Sequence, residues 1–392
     1  MSDILQIATT TSTSYSWSQL PEELLMLVAE RIDYIEDFIR FGAVSKSWRS
    51  LTLVNKHHFS SIFKTKTLPW LLMLTAYSHQ GTTFREFFSL AQNKTYRFNL
   101  PQAYGTKCWG SPFGWLITLA SSGGNFQLLN PLCPHSCIPL PPLTALPRQG
   151  DHLYENGYIW KAALFLSHSN IHFGRHCYPN RNYDHERHFL VFVIHGYYQM
   201  LAFARPGDTS WTTIKFPDEY LSQRQVDILH LNGQFYSVNS NGCIWLLSDI
   251  FGPDLTLTRL AILPPDNGRL YETFSLIEMQ GEILMAARVL HILEVEDLEP
   301  MEFQAVPKTS SIQVYKLDRG TFSWEKMETL GDYTLFVGSG TSISVKASDY
   351  SGSDCNPGCI YFSYDDCLIT GMITHDVGIF NLINQEIEPF NV

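Results

Sequence analysis

Long apolar runs are missing from this chain of 392 residues. The longest, Leu68 to Ala76, is roughly half of the ~20 residues that a membrane helix needs, so no membrane role is expected. Positive charge is scarce as well: Lys plus Arg number 27 against 38 Asp plus Glu, a formal net charge of -11. Nucleic-acid binders need a basic stripe, and none is present, so no nucleic-acid partner is expected. Residues 1–15 are polar and Thr/Ser-rich and lack a basic start followed by an apolar run, so no secretory signal is expected. Eight cysteines (Cys108, Cys133, Cys137, Cys177, Cys243, Cys355, Cys359 and Cys367) are spread thinly and read as reduced thiols rather than a disulfide framework. The expected location is intracellular, nucleus and/or cytoplasm, with no basic cluster to choose between them.

Motifs of catalysis are equally short. No G-x-S-x-G nucleophile elbow occurs. Gly105, Gly110, Gly114 and Gly123-Gly124 lack the Gly-Lys-Ser/Thr that closes a phosphate loop, and they read as turn residues. His185-Glu186-Arg187-His188 places its histidines at i, i+3, whereas a zinc-protease helix needs i, i+4. Cys133 with Cys137, and Cys355 with Cys359, are spaced off the usual metal pattern and read as small residues flanking turns. Asp365-Asp366 would point to opposite faces of a strand, so they read as a turn rather than as an acid–base pair. Neither cofactor nor metal is expected, and no catalytic residue.

What is there falls into two unlike parts that meet near residue 65. Residues 17–56 read as three short helices. Pro21 suits the first helical position, and Glu22 and Glu23 favour the positive end of the helix dipole. Leu24, Val28 and Ile32 share one face, with Leu25 and Leu27 beside it. A second helix holds Phe38, Ile39 and Phe41, with Asp37 near its start. A third carries Val44, Trp48 and Leu51 at i, i+4, i+7. Domains of about 40 residues rarely stand alone without a metal, a disulfide or a partner. The stretch holds no cysteine, so another polypeptide or the rest of the chain must cover its apolar faces.

Beyond it the sequence is mainly β. Short apolar runs such as Phe189 to Ile194, Trp211 to Phe216, Val226 to Leu231, Gln234 to Val238 and Glu282 to Ala287 read as strands separated by turn residues, Asn232-Gly233 and Gln280-Gly281 among them. Asn-Gly between alternating runs is the strongest short hairpin signal. Strands recur every 8–12 residues with no helical pattern between them. About 320 residues of this kind exceed one sandwich, and a β-propeller of six or seven four-stranded blades would absorb them. Two charged stretches, 168–188 and 290–309, read as exposed insertions between strands.

Leu20-Pro21 with Leu24-Leu25, then Asp37, Ile39-Arg40-Phe41 and Val44-Ser45-Lys46-Ser47-Trp48-Arg49-Ser50, resemble an F-box. The family usually has Cys where this chain has Ser45. The remainder resembles the propeller of plant F-box proteins of the KIB type. The matching motifs include Leu68-Pro69-Trp70, Cys108-Trp109-Gly110-Ser111 with Gly114-Trp115-Leu116, Phe203-Ala204-Arg205-Pro206-Gly207-Asp208, Asn232-Gly233-Gln234-Phe235-Tyr236, Leu335-Phe336-Val337-Gly338 and Gly378-Ile379-Phe380-Asn381-Leu382. The resemblance implies an F-box over 16–60 and a propeller over 61–392, and the polar, Thr/Ser-rich residues 1–15 before them read as a disordered tail.

It also implies a role. The F-box would dock on a Skp1-like adaptor, and through it on a cullin-RING ligase, while the propeller holds an unknown protein substrate for ubiquitination. Leu20, Pro21, Leu24, Val28, Ile39, Val44 and Trp48 are the expected adaptor-binding residues, with Trp48 core-facing and only an edge at the interface. The chain would be a non-catalytic receptor subunit. Two alternatives stand beside it: an F-box protein that sequesters its partner without degradation, and an enzyme built on the propeller.

Overall fold

The computed structural model describes residues 17, 20–32, 35–55, 68, 70–73, 84–104, 106–111, 114–120, 126–131, 137–146, 159–166, 189–196, 198–205, 207–217, 224–250, 255–262, 271–294, 305–350, 353–367 and 373–390. The chain divides into two compact units, one before Leu68 and one from Leu68 onward. The expected tail over 1–15 lies outside the described residues.

The first unit is helical: α1 (Glu22–Ala29), α2 (Ile35–Ala43) and α3 (Lys46–Val54). Pro21 sits just before α1, one position earlier than its suitability for the first helical residue suggested. Ser45 caps α3, its hydroxyl accepting from Trp48 N at 3.3 Å. That cap starts the helix at Lys46 and leaves Val44 in the preceding turn, so the expected Val44–Trp48–Leu51 stripe does not form. The core is instead Leu25, Ala29, Phe41, Trp48 and Leu51, with the Phe41 and Trp48 rings 4.4 Å apart and Trp48 Nε1 donating to Trp17 O at 3.3 Å.

The second unit is a β-propeller, and its described strands form six sheets. Blade 1 holds β1 (Trp70–Met73), β2 (Phe84–Ser89) and β3 (Lys94–Asn99). Blade 2 holds β4 (Thr106–Gly110), β5 (Leu116–Ala120), β6 (Phe126–Leu129) and β7 (Cys137–Pro139). Blade 3 holds β8 (Ile159–Leu166), β9 (Phe189–His195), β10 (Met200–Ala204) and β11 (Thr212–Thr213). Blade 4 holds β12 (Gln225–Leu231), β13 (Gln234–Asn239), β14 (Cys243–Ser248) and β15 (Thr256–Ile262). Blade 5 holds β16 (Tyr271–Met279), β17 (Glu282–Glu294), β18 (Ala305–Asp318) and β19 (Ser323–Met327). Blade 6 holds β20 (Tyr333–Gly338), β21 (Ile343–Lys346), β22 (Cys359–Cys367), β23 (Ile373–Asn381) and β24 (Ile387–Pro389).

Blades 1 to 5 are antiparallel meanders in chain order. The turns that make them are the ones the residues dictate. Asn232 and Gly233 have φ of 51° and 79°, the left-handed pair that a two-residue hairpin requires, and β12 and β13 pair directly across them. Apolar side chains fill the gaps between blades, and β9 is buried along its whole length. Phe87 and Leu100 of blade 1 meet Leu116 and Leu129 of blade 2. Trp115 and Phe126 of blade 2 pack on Phe189 and Trp211 of blade 3. Further clusters join blades 3 and 4, 4 and 5, and 5 and 6. Leu68 and Phe88 against Phe336, Cys359 and Tyr361 then close the ring from blade 6 to blade 1.

Three expectations about the β region need correction. Trp211 to Phe216 does not form a six-residue strand: only Thr212 and Thr213 pair, while Trp211, Ile214 and Phe216 are buried by packing. Asp365 and Asp366 lie within β22, paired with His375 and Thr374 of β23, and do not form a turn. The stretch 290–309 is strand on both arms, Leu290 pairing with Thr309 and Glu294 with Ala305, because its aliphatic residues continue the β pattern of β17. Residues 295–304 and the other charged stretch, 168–188, lie outside the described residues.

Candidate functional site

α1 is apolar nearly all the way round. Leu25 and Ala29, one turn apart, are buried in the helical core. On the opposite side Leu24 is 47%, Leu27 50% and Val28 45% exposed, and Val44 in the turn before α3 is 59% exposed. Leu24, Leu27 and Val28 stand at i, i+3 and i+4, which places them on one face. A soluble helix ordinarily carries polar residues there. Covering a half-exposed Leu or Val contributes on the order of 1 kcal/mol, so the four together offer several kcal/mol to any surface that fits them.

The seven expected adaptor-binding residues divide accordingly. Pro21, Leu24, Val28 and Val44 are exposed. Leu20 is half-buried against the helical core, and Trp48 is buried in it. Ile39 lies in α2, and its side chain is outside the described residues. Leu27 belongs with the exposed group; its i+3 spacing from Leu24 was the available signal. Glu22 and Glu23 stand exposed beside Leu24, and Asp37 and Arg40 of α2 pair with each other at 2.7 Å.

The first strands of the blades hold a second group of charged side chains. Lys161 of β8 and Asp227 of β12 form a buried ion pair, Nζ to Oδ1, at 2.8 Å. Asp227 also accepts from Ile228 N at 2.7 Å and Leu276 N at 2.8 Å, and Lys161 Nζ donates to Gly338 O at 3.1 Å. Four blades are thereby tied at one point. Burial pushes the Asp227 carboxyl up; Lys161 and the two backbone N–H groups oppose that rise.

Gly338 ends β20, and the residues that follow it reach other blades. A side chain added at Gly340 would come within 3.1 Å of Gly110 O in blade 2. Ser344 Oγ donates to Glu278 O of blade 5 at 2.7 Å. Blade 6 reaches blades 2, 3 and 5 in this way. The β20–β21 hairpin also explains why β20 and β22 run parallel in a five-stranded sheet.

His195, at the end of β9, is buried and its Nε2 has no hydrogen-bond partner; burial brings its pKa down to about 4. Cys355 and Cys359 are buried free thiols, both pushed up first by burial. Cys133 and His185 to His188 lie outside the described residues. Among the described residues no three His, Cys, Asp or Glu side chains group as metal ligands. The helices among the described residues are too short to cross a membrane.

Comparison with known proteins accords with this anatomy. The model of the F-box domain matches residues 17–59, and that of the KIB1-4 beta-propeller matches residues 87–381. F-box protein SKIP23 of Arabidopsis thaliana is 25% identical over 395 residues, covering 95% of this chain and 90% of its own length. F-box protein At2g17690 of Arabidopsis thaliana is 25% identical over 408 residues, covering 88% of this chain and 91% of its own. Among solved structures, the Cps50 (Swd1) beta-propeller domain of Myceliophteria thermophila covers 81% of this chain and 98% of its own at 10% identity and a TM-score of 0.30, too distant to bear on function.

Proposed function

The chain belongs to the plant F-box proteins that carry a KIB1-4 β-propeller, with the general role of substrate recognition, and from that premise we propose that it is the receptor subunit of an SCF-type ubiquitin ligase. In this reading the helical unit docks a Skp1-like adaptor that leads to a cullin-RING ligase, and the propeller binds the protein to be ubiquitinated. The observation that carries it is the outward apolar face of Leu24, Leu27 and Val28, with Val44 exposed as well. A helix that spends apolar side chains on both sides needs a second surface, and a partner helix bundle supplies one.

The subunit itself is non-catalytic in this reading. It acts by proximity, holding a target where a charged E2 can reach it, so that an encounter between free molecules becomes an event within one assembly. Support comes from the propeller. Lys161 and Asp227 are the kind of pair that an enzyme would aim at a substrate, yet each is already engaged by the other and by backbone groups.

Binding of the full chain to a Skp1-like protein tests the adaptor step. Leu24→Asp/Val28→Asp should weaken it by at least about 30-fold, the equivalent of losing a 2 kcal/mol hot spot. Ile262→Asp, an equally exposed apolar residue of β15, should leave it unchanged. If the double variant binds as the wild type does, the adaptor assignment is wrong. Levels of a bound partner under proteasome inhibition separate degradation from sequestration, since only a degraded partner accumulates.

A further inference from the structure

Blade 5 does not stop where its neighbours do. β17 and β18 stay paired out to Glu294↔Ala305, whereas β16 takes its last partner on β17 at Val289 and β19 its last on β18 at Val314. The five pairs from Leu290↔Thr309 to Glu294↔Ala305 form a two-stranded ribbon beyond the four-stranded sheet, roughly 15 Å long at ~3.3 Å per residue. Blade 6 behaves alike. β22 and β23 stay paired to Cys367↔Ile373, past the last partners of β20 at Ser363 and of β24 at Gly378. Two-stranded ribbons are marginal by themselves, so their direction has to be held from outside.

The β17–β18 ribbon leaves its blade at a bulge. Pairing steps from Val289↔Ser311 to Leu290↔Thr309, which leaves Ser310 without an opposite residue, and Ser310 Oγ donates to Val289 O at 3.1 Å. Bulges bend a strand pair and re-aim it. The next residue, Thr309, is gripped from blade 6. Asp376 Oδ2 of β23 accepts from Thr309 N at 2.7 Å, from Thr309 Oγ1 at 2.5 Å and from Arg288 Nη2 at 2.7 Å. Arg288 Nε donates to Thr309 Oγ1 at 2.8 Å, and Lys308 Nζ stands 3.5 Å from Asp376 Oδ1. The guanidinium of Arg288, fully buried, lies 4.3 Å from the Tyr364 ring centre, and the Tyr364 hydroxyl is 3.2 Å from Ser275 Oγ of β16.

Apolar packing would join two blades at least as well as buried ions do. What a fully paired polar joint adds is a single geometry, because any other leaves charge without partners. We infer that Asp376 is a positioning residue that locks the β17–β18 ribbon, at its bulge, against the β22–β23 ribbon, so that both project in one fixed direction. For a receptor the consequence is a recognition element aimed before its target arrives, with less ordering left to do on binding. That consequence rests on the receptor reading; the lock does not.

Hydrogen exchange of the full chain tests it. In Asp376→Asn, amides of 290–294 and 305–309 should exchange at least about 10-fold faster, while those of β12 to β14 keep their wild-type rates. Thr309→Val, which removes the hydroxyl and keeps the backbone N–H, should act in the same direction and stands in if Asp376→Asn does not fold. Unchanged ribbon exchange in the variant that folds overturns the lock. So does an equal rise throughout both blades, which would make Asp376 a stabiliser of the core and nothing more. Adaptor binding measured on the same wild-type sample reports on the receptor reading separately: its absence sinks that reading and leaves the exchange result to judge the lock.

Discussion

The helical unit and the propeller make opposite uses of polarity. The first keeps Leu24, Leu27, Val28 and Val44 outside, where water touches them; the second takes Lys161, Asp227, Arg288 and Asp376 inside, where water does not. Each would be a poor choice in an isolated domain. Exposed aliphatic residues forgo stability, and buried ions cost desolvation. The difference lies in who completes the site. Each of these four buried ions finds its partner within the same chain, whereas the outer face of α1 finds none among the described residues of its own unit.

The contrast can be broken hardest at the Lys161–Asp227 pair. Lys161→Met should destabilise the propeller by roughly 3–5 kcal/mol, because it leaves Asp227 buried without its cation, and Lys161→Met/Asp227→Leu should recover most of that loss. Denaturant unfolding followed by tryptophan fluorescence measures both. A double variant no better than the single one would mean that the polar joint itself, rather than its pairing, holds the blades.

His195 sharpens the same point with pH. Its pKa is brought from 6.5 down to about 4 by burial, so the folded state disfavours the imidazolium. Stability from the neutral ring is complete above pH 6.5 and is lost as pH falls toward 4, roughly 3 kcal/mol in all. His195→Gln should flatten the stability profile across that window and leave it alone at pH 8. Next comes the helical unit. Leu25→Ala, in its core, should cost about 2–3 kcal/mol, while Leu24→Ala in the absence of adaptor should change little, and thermal unfolding followed by far-ultraviolet dichroism separates them. Smallest is the cap: Ser45→Ala should cost about 1 kcal/mol by removing the acceptor for Trp48 N. Cysteine, usual in the family at this position, is a weaker acceptor, so the serine here serves the start of α3.

Much of this was legible beforehand, and the pattern of what was not is physical. Period and turn chemistry are local, so α1, the Asn232-Gly233 hairpin and the turn at Gly114 could be placed from neighbouring residues. Leu24 and Val28 were legible as a face, but their direction was not, because periodicity marks two residues as sharing a side without saying which side is covered. Val44 was misplaced because a cap outranked an i, i+4 match. Apolar alternation across Trp211 to Phe216 reported packing rather than pairing. Arg288 and Asp376 are 88 residues apart in sequence, and nothing in the local pattern of either announces the other.

The β20–β21 hairpin has a consequence for how the molecule is made. Residues 338–344 supply contacts to blades 2, 3 and 5, so those earlier blades cannot reach their final arrangement until residues 338–344 have left the ribosome. Their hairpins can form as they emerge, but the circle waits for its keystone, and contacts this remote in sequence close slowly. A nascent propeller of this design passes through a long interval as an open fan, the stage at which a chaperone would find most to hold.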